Sequence, residues 1–338
     1  MNIIENLSYL KYFGFDITFW KSLNRIFQNN SSSLSWRIHD INNSKIEKFI
    51  VDSCPKTYQK LKNGYYDKEI VDSNQYVNPS ISLNNTIWTM WWQGEENAPL
   101  VIKECINSMR LYSNNHPVIV LSEQNYKDYI KLPDNILKRF NEGINDNTGL
   151  SKCTLDRTKL SNFIRLYVLS NYGGVWADAS ILFTRKIDDV FFKSEWETLG
   201  QDNEWYIGRG KWSTFFMSAH RGNSFCRFCY DMHIEYWEKR KYWINYLMFD
   251  HIFDIAYKER VYFKNMVESV TCGNKKCLTI NRIYNEKCDV NKLLHFLKTQ
   301  SFHKLSWKWG IEEKKDLVTK DGKETYLGYL LTNYRISN

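Results

Sequence analysis

Leu160, Ile164, Tyr167 and Val168 recur at helical spacing in residues 158–184, TKLSNFIRLYVLSNYGGVWADASILFT, so one face of this segment is expected to pack on a core. Gly173-Gly174 follow, and paired glycines stop a helix because one can take positive φ at little steric cost. Val175, Trp176 and Ala177, then Ile181, Leu182 and Phe183, read as strand, with Asp178-Ala179-Ser180 interrupting an otherwise apolar run. Upstream, the pattern predicts a strand over Thr86–Trp92, a helix over Pro99–Tyr112, a strand over Val118–Ser122 and helices through about residue 172. Strands alternating with helices of this length predict a parallel sheet, whose ligands bind beyond the carboxyl ends of the strands. Trp92, Gln93 and Gly94 would then follow the first strand, and Asp178 a later one. Residues 1–80 read differently, with helical segments, a polar tract from Asn29 to Ser33 and a loop-like stretch ending at Asn78-Pro79. A division near residue 80 is expected, into a mainly helical region over 1–80 and an α/β domain over 81–338.

An acid in an apolar run needs a partner, because a buried carboxylate left alone costs several kcal/mol or neutralises itself. For Asp178 the useful candidates are a metal ion or a bound ligand. Asp250 and Asp254 stand four residues apart in a second acid-bearing stretch and share a helix face that can point into a cleft. The chain has no G-x-G-x-x-G and no G-x-x-x-x-G-K-[ST], so neither glycine-rich phosphate motif is present.

The 338 residues suffice for a substantial core, and hydrophobic and charged fractions of 43% and 25% are ordinary for a soluble globular protein. Thirteen Trp suit a sugar-stacking site, although most are expected in the core. The net charge of +8 favours anionic partners. With no run of five or six basic residues and no RNA-binding signature, nucleic acid is not the expected one. There is no run of eighteen apolar residues, and the N-terminus does not read as a secretory signal, so a cytoplasmic protein is expected. The aromatic and basic first 28 residues either lie on the inner membrane surface or pack as an amphipathic helix on the rest of the protein. Cys226-x-x-Cys229 and Cys272-x4-Cys277 have zinc-like spacing, but the first pair lies at i, i+3 in an amphipathic helix, where buried reduced thiols are expected.

The order Ser161-x-x-x-Arg165, Tyr172-Gly173-Gly174-Val175-Trp176, Asp178-x-Ser180 resembles the capsular polysaccharide synthesis proteins of glycosyltransferase family 32. The likeness extends to Ile87-Trp88 through Trp91-Trp92-Gln93-Gly94, to Val118–Leu121 and to Phe302-His303-Lys304-Leu305, over residues 84–310. It implies a GT-A fold, a Rossmann-like nucleotide-binding sheet with flanking helices. It also implies retaining transfer from a nucleotide sugar, a UDP-sugar, to a lipid-linked or oligosaccharide acceptor, with Mn²⁺ or Mg²⁺ as cofactor. By the same likeness Asp178 lies near the metal and the ribose, and Ser180 stands where many relatives carry the second acid of Asp-x-Asp. Ser180 is a poorer ligand because its hydroxyl is neutral. Ser161-Asn162 stands where relatives often carry Ser-Asp, whose Asp touches the ribose, and Arg165 would reach a phosphate or the ribose. Trp92 and Gln93 would line the nucleotide site, and Phe216–Ala219 the strand beside the donor sugar. His303 would complete the metal shell or touch the pyrophosphate, Lys304 would neutralise developing charge, and Asp250 would contact the acceptor hydroxyl or the sugar. Two other readings stay open: a protein of the same fold whose Asn162 and Ser180 mark lost catalysis, and a basic, aromatic-rich nucleic-acid binder.

Overall fold

The apolar runs and helical periods become the following elements in the computed structural model, which describes residues 3–28, 32–70, 83, 85–142, 150, 153–271, 274–308 and 317–333. Asn29–Ser31, Asn78-Pro79, Ile81, Cys272 and Trp309 lie outside the described residues. The N-terminal elements are α1 (Ile3–Phe27), α2 (Ser33–Ser53) and α3 (Pro55–Lys62). Next come β1 (Ile87–Met90), α4 (Leu100–Leu111), β2 (Val118–Leu121), α5 (Asp134–Glu142), α6 (Arg157–Asn171), β3 (Gly174–Ala177) and β4 (Ile181–Phe183). Then follow α7 (Val190–Lys193), β5 (Trp196–Thr198), β6 (Phe216–Ala219), α8 (Ser224–Lys239), α9 (Met248–Glu259) and α10 (Val261–Glu268). The chain continues through α11 (Thr279–Ile283), α12 (Val290–Thr299), β7 (Phe302–Lys304) and α13 (Tyr326–Thr332). These elements form two compact units, one drawn from Met1–Ile70, Lys131–Tyr167 and Ser224–Asn265, the other from Val71–Ile130, Val168–Asn223 and Met266–Asn338.

The second unit holds all the strands found among the described residues. Its sheet runs β2-β1-β3-β6-β5, with β2, β1 and β3 mutually parallel. The expected parallel sheet is therefore present at these three strands, while β6 runs antiparallel to both β3 and β5. All four residues of β3 and of β6 are buried, as befits strands covered on both faces. α4 turns Val101, Ile102, Cys105, Ile106 and Met109 inward at helical spacing. A two-stranded ribbon pairs β4 antiparallel with β7, Ile181 opposite Lys304 and Phe183 opposite Phe302. Its side chains alternate between two cores: Ile181, Phe183 and Phe302 join Ile87, Val175 and Phe216, whereas Leu182 joins Ile102, Ala179 and Leu305.

Gly173 and Gly174 end α6 and start β3 as the sequence predicts, with φ of 74° and 93°. The Gly173 amide closes on the carbonyls of Val168 and Leu169, and the Val175 amide donates to Thr86 O at 2.9 Å. Gly174 lies so close to β1 that a Cβ there would run into the Thr86 carbonyl oxygen.

In the first unit, α1 is broken at Gly14, where φ is 85°, and packs on α2, whose N-terminus is capped by the Ser32 hydroxyl. α8 contacts α2, α3, α5 and α9. Cys226 and Cys229 are both buried on α8, and burial pushes their thiols well up, as inert structural cysteines require. His233 is fully buried among Phe163, Trp243 and Phe249. Its Nδ1 donates to the Cys229 carbonyl at 2.6 Å, and burial holds the ring down at about 4.

Asp254 on α9 lies 2.6 Å from Lys258, which also reaches Glu47 on α2 at 2.8 Å. Burial and the Glu47 charge push the Asp254 carboxyl up to about 7. Between its ordinary value of 3.8 and 7, the folded protein holds a proton that the unfolded chain has released, so this group makes stability fall as pH rises through that window. Asp254→Asn is expected to flatten the slope and add on the order of 1–2 kcal/mol at pH 8, after allowing for the lost ion pair. Denaturant unfolding between pH 4 and pH 8 checks this, and an unchanged slope contradicts it.

Candidate functional site

Parallel pairing of Ile87 with Val175 and Trp88 with Trp176 brings the carboxyl ends of β1 and β3 to one side of the sheet. Trp91, Trp92 and Gln93 leave β1 there, and the Asp178–Ser180 turn leaves β3. The turn is held from several directions. The Asp178 amide donates to Phe215 O at 2.8 Å, the Ile181 amide to Asp178 O at 2.9 Å, and the Leu305 amide to Ser180 O at 2.8 Å. The Lys304 amide donates to Cys277 O at 2.8 Å, which fixes β7 from its other side.

Lys304 Nζ is the centre of the polar group. It donates to Asp178 Oδ2 at 2.9 Å and to Ser180 Oγ at 2.7 Å, and it stands 5.3 Å from the centre of the Phe215 ring. The other Asp178 oxygen, Oδ1, accepts from the Trp176 indole at 2.9 Å. The Lys304 and Asp178 side chains are 19% and 27% exposed, so the ion pair is largely withdrawn from water yet reachable. In such a place its attraction exceeds that of a surface pair.

His303 lies elsewhere. Adjacent strand residues point to opposite faces, and its ring is buried, with Nε2 donating to the Gln300 carbonyl at 3.2 Å and lying 3.3 Å from Thr184 Oγ1. Burial keeps it down at about 4, hence neutral. Its expected place in a metal shell with Asp178 and Ser180 has no counterpart in this geometry, because Lys304 and not His303 takes the face toward Asp178.

A resident divalent cation needs several oxygen donors at about 2.0–2.6 Å. Among the described residues no three His, Cys, Asp or Glu side chains converge. Asp178 and Ser180 offer one carboxylate and one neutral hydroxyl, and an ammonium already bridges them. This donor set does not fit such a cation.

Residues 36–329 match the sequence model of the capsular polysaccharide synthesis protein family. The chain belongs to that family. Comparison with curated proteins and with solved structures yields no match. Every strand of this capsular polysaccharide synthesis protein, and Asp178, Ser180 and Lys304 with them, falls within the matched span.

The remaining predicted residues are distributed as follows. Trp92 is 5% exposed and packs on Tyr126, with ring centres 5.2 Å apart, so it supports the loop after β1. Gln93 is partly buried, and its carbonyl accepts from Asn97. Ser161, Asn162, Arg165 and Asp250 belong to the first unit. Ser161 Oγ donates to Thr158 O at 2.6 Å, Asn162 and Asp250 are partly buried, and the buried Arg165 guanidinium stands 5.5 Å from the centre of the Phe249 ring.

Trp91, Trp176 and Phe215 were not among the expected site residues. Trp91 packs against the cluster that contains Ala179 and Leu305, its ring centre 6.3 Å from that of the half-exposed Trp307. Its buried Nε1 has no hydrogen-bond partner among the described residues. Trp176 was readable, since residues i and i+2 on a strand share a face and its indole therefore reaches Asp178.

Proposed function

We propose that this capsule-synthesis protein is a glycosyltransferase that moves a sugar from a nucleotide sugar, a UDP-sugar, to a saccharide or lipid-linked acceptor, and that its sheet is the nucleotide-binding sheet of a GT-A fold. The observation that carries this reading is the Asp178–Lys304–Ser180 group at the carboxyl ends of parallel strands, the position where open α/β sheets bind nucleotides. Family membership supports a sugar substrate.

In the reaction, the bond between the sugar's anomeric carbon and the β-phosphate oxygen breaks, and both electrons stay on that oxygen. The acceptor hydroxyl oxygen forms the new bond to the same carbon, and its proton passes to the departing phosphate in a retaining, same-face displacement. Lys304 places an N–H and a positive charge where negative charge develops, the kind of preorganised donor that contributes most to such steps. Asp178, itself held by the Trp176 indole, keeps that ammonium in place. The roles expected for Ser161, Asn162, Arg165 and Asp250 are not needed for this reading.

A panel of nucleotide sugars tests it, read by thermal stabilisation and by release of nucleoside diphosphate in the presence of membrane-extracted acceptor. One donor is expected to be consumed and, at a hundred times its dissociation constant, to stabilise the protein by about 2.7 kcal/mol. If no donor stabilises the protein or is consumed, the reading fails.

The first unit supports a peripheral contact with the membrane that would carry a lipid-linked acceptor. No helix among the described residues is long and apolar enough to cross a bilayer. α1 nevertheless leaves Phe15, Phe19 and Ile26 72%, 46% and 75% exposed. Phe15→Ser combined with Phe19→Ser is expected to weaken co-sedimentation with anionic vesicles at least about tenfold, since each buried aromatic contributes roughly 1.5–3 kcal/mol. Equal sedimentation of parent and variant contradicts the contact.

A further inference from the structure

We propose that the Lys304 ammonium does in this site what a divalent cation does in a metal-dependent one, so that the protein binds the diphosphate of its donor without a metal ion. The inference rests on the transferase reading and concerns the same site.

Occupancy and charge both point this way. A cation ligated by both Asp178 Oδ2 and Ser180 Oγ has to lie in the small volume between those atoms. Lys304 Nζ is there, 2.9 Å from one and 2.7 Å from the other. A metal ion at about 2.0–2.2 Å from the same oxygens would overlap the ammonium and repel it. The point from which the lysine reaches is fixed, because its backbone is paired to Ile181 in the β4–β7 ribbon and its amide is held by Cys277 O, and its ammonium stands 5.3 Å from the centre of the Phe215 ring. Ser180 fits this arrangement. Its hydroxyl can accept from an ammonium, whereas a second carboxylate at that position would favour a dication.

Of the three ammonium N–H groups, two go to Asp178 and Ser180, and the third has no partner among the described residues. A phosphate oxygen would complete it. A lysine is well suited to this task as a compact point charge, and is used so on phosphates. When the sugar leaves, the electron pair remaining on the β-phosphate oxygen is met by this N–H, and the lysine keeps its proton.

The test is calorimetric titration of the full chain with UDP, GDP, ADP and CDP, each in EDTA and in Mn²⁺. One diphosphate is expected to bind with affinities in the two conditions within about threefold of each other. Lys304→Met is expected to weaken it by about ten- to a hundredfold, the span for hydrogen bonds to charged groups, and Lys304→Arg to retain most of it. The double variant Ser180→Asp with Lys304→Ala is expected to regain affinity only with Mn²⁺, and to show protein-bound Mn²⁺ by electron paramagnetic resonance. Binding by the parent that requires Mn²⁺ overturns the inference and leaves the transferase reading standing. So does a folded Lys304→Met variant with parental affinity, which would make the lysine merely structural. Should that variant not fold, the comparison of EDTA with Mn²⁺ on the parent decides alone. Binding of none of the four diphosphates in either condition overturns the transferase reading and the inference with it.

Discussion

Asp178→Asn is expected to lower the rate of sugar transfer at saturating donor by about 10²–10³-fold while the protein still folds. The side chains have nearly the same shape, so the turn between β3 and β4 and its backbone hydrogen bonds through Phe215 and Ile181 are kept. Asparagine can also still accept from the Trp176 indole. What disappears is the negative charge 2.9 Å from Lys304 Nζ, the ammonium's one charged hydrogen-bond partner among the described residues. Two effects then compete. Freed of its counter-charge, Lys304 attracts a diphosphate at least as well as before, but it is no longer held where the leaving oxygen develops charge. Catalysis depends on the position and ground-state affinity on the charge, so kcat should fall without loss of nucleotide affinity. Loss of a partly exposed ion pair should cost stability only about 1 kcal/mol. Steady-state rates together with circular-dichroism melting check this, and a kcat within about threefold of the parent contradicts it.

Gly174→Ala is expected to destabilise the fold by about 3–5 kcal/mol, a large loss for the addition of a single methyl group. Two causes add. A φ of 93° is strained for any residue with a Cβ, and the new methyl would strike the Thr86 carbonyl oxygen and lie 3.1 Å from the Thr86 amide nitrogen. Those atoms are backbone, and the Thr86 carbonyl is engaged by the Val175 amide, so neither can turn aside. Relief requires β1 and β3 to separate where the sheet begins. The loss reads out as a lower denaturation midpoint; a cost under about 1 kcal/mol contradicts the account of this junction.

Much of the second unit was legible in the sequence because its signals are local. The paired glycines and the apolar runs that became β1, β2, β3 and β4 all appear within a few residues of the predicted bounds, as does the period-3.6 face of α6, whose first eleven residues belong to the first unit. The Asp178 break was legible for the same reason: a single acid in an apolar run stands out against its neighbours. The partner of that acid was not. Lys304 arrives from 126 residues away through the β4–β7 pairing. No local period encodes which strand a three-residue segment joins. Even with Phe302–Leu305 recognised, a strand this short leaves its parity open, so His303 and Lys304 were both expected at the site, and the register admits one. The reversal of β6 against β3 was hidden likewise, since direction in a sheet follows from connection and not from composition. Each unit is drawn from three separated segments, an arrangement that local patterns do not report.

Under the proposed function, a nucleotide sugar places its diphosphate at the Asp178–Lys304–Ser180 group. A crystal structure of the protein with the nucleotide that stabilises it most in the donor panel tests this directly. A phosphate oxygen is expected within hydrogen-bond distance of Lys304 Nζ, on the side of the sheet where β1 and β3 end. A nucleotide bound elsewhere, with the Lys304 ammonium still enclosed by Asp178 and Ser180 alone, would contradict it.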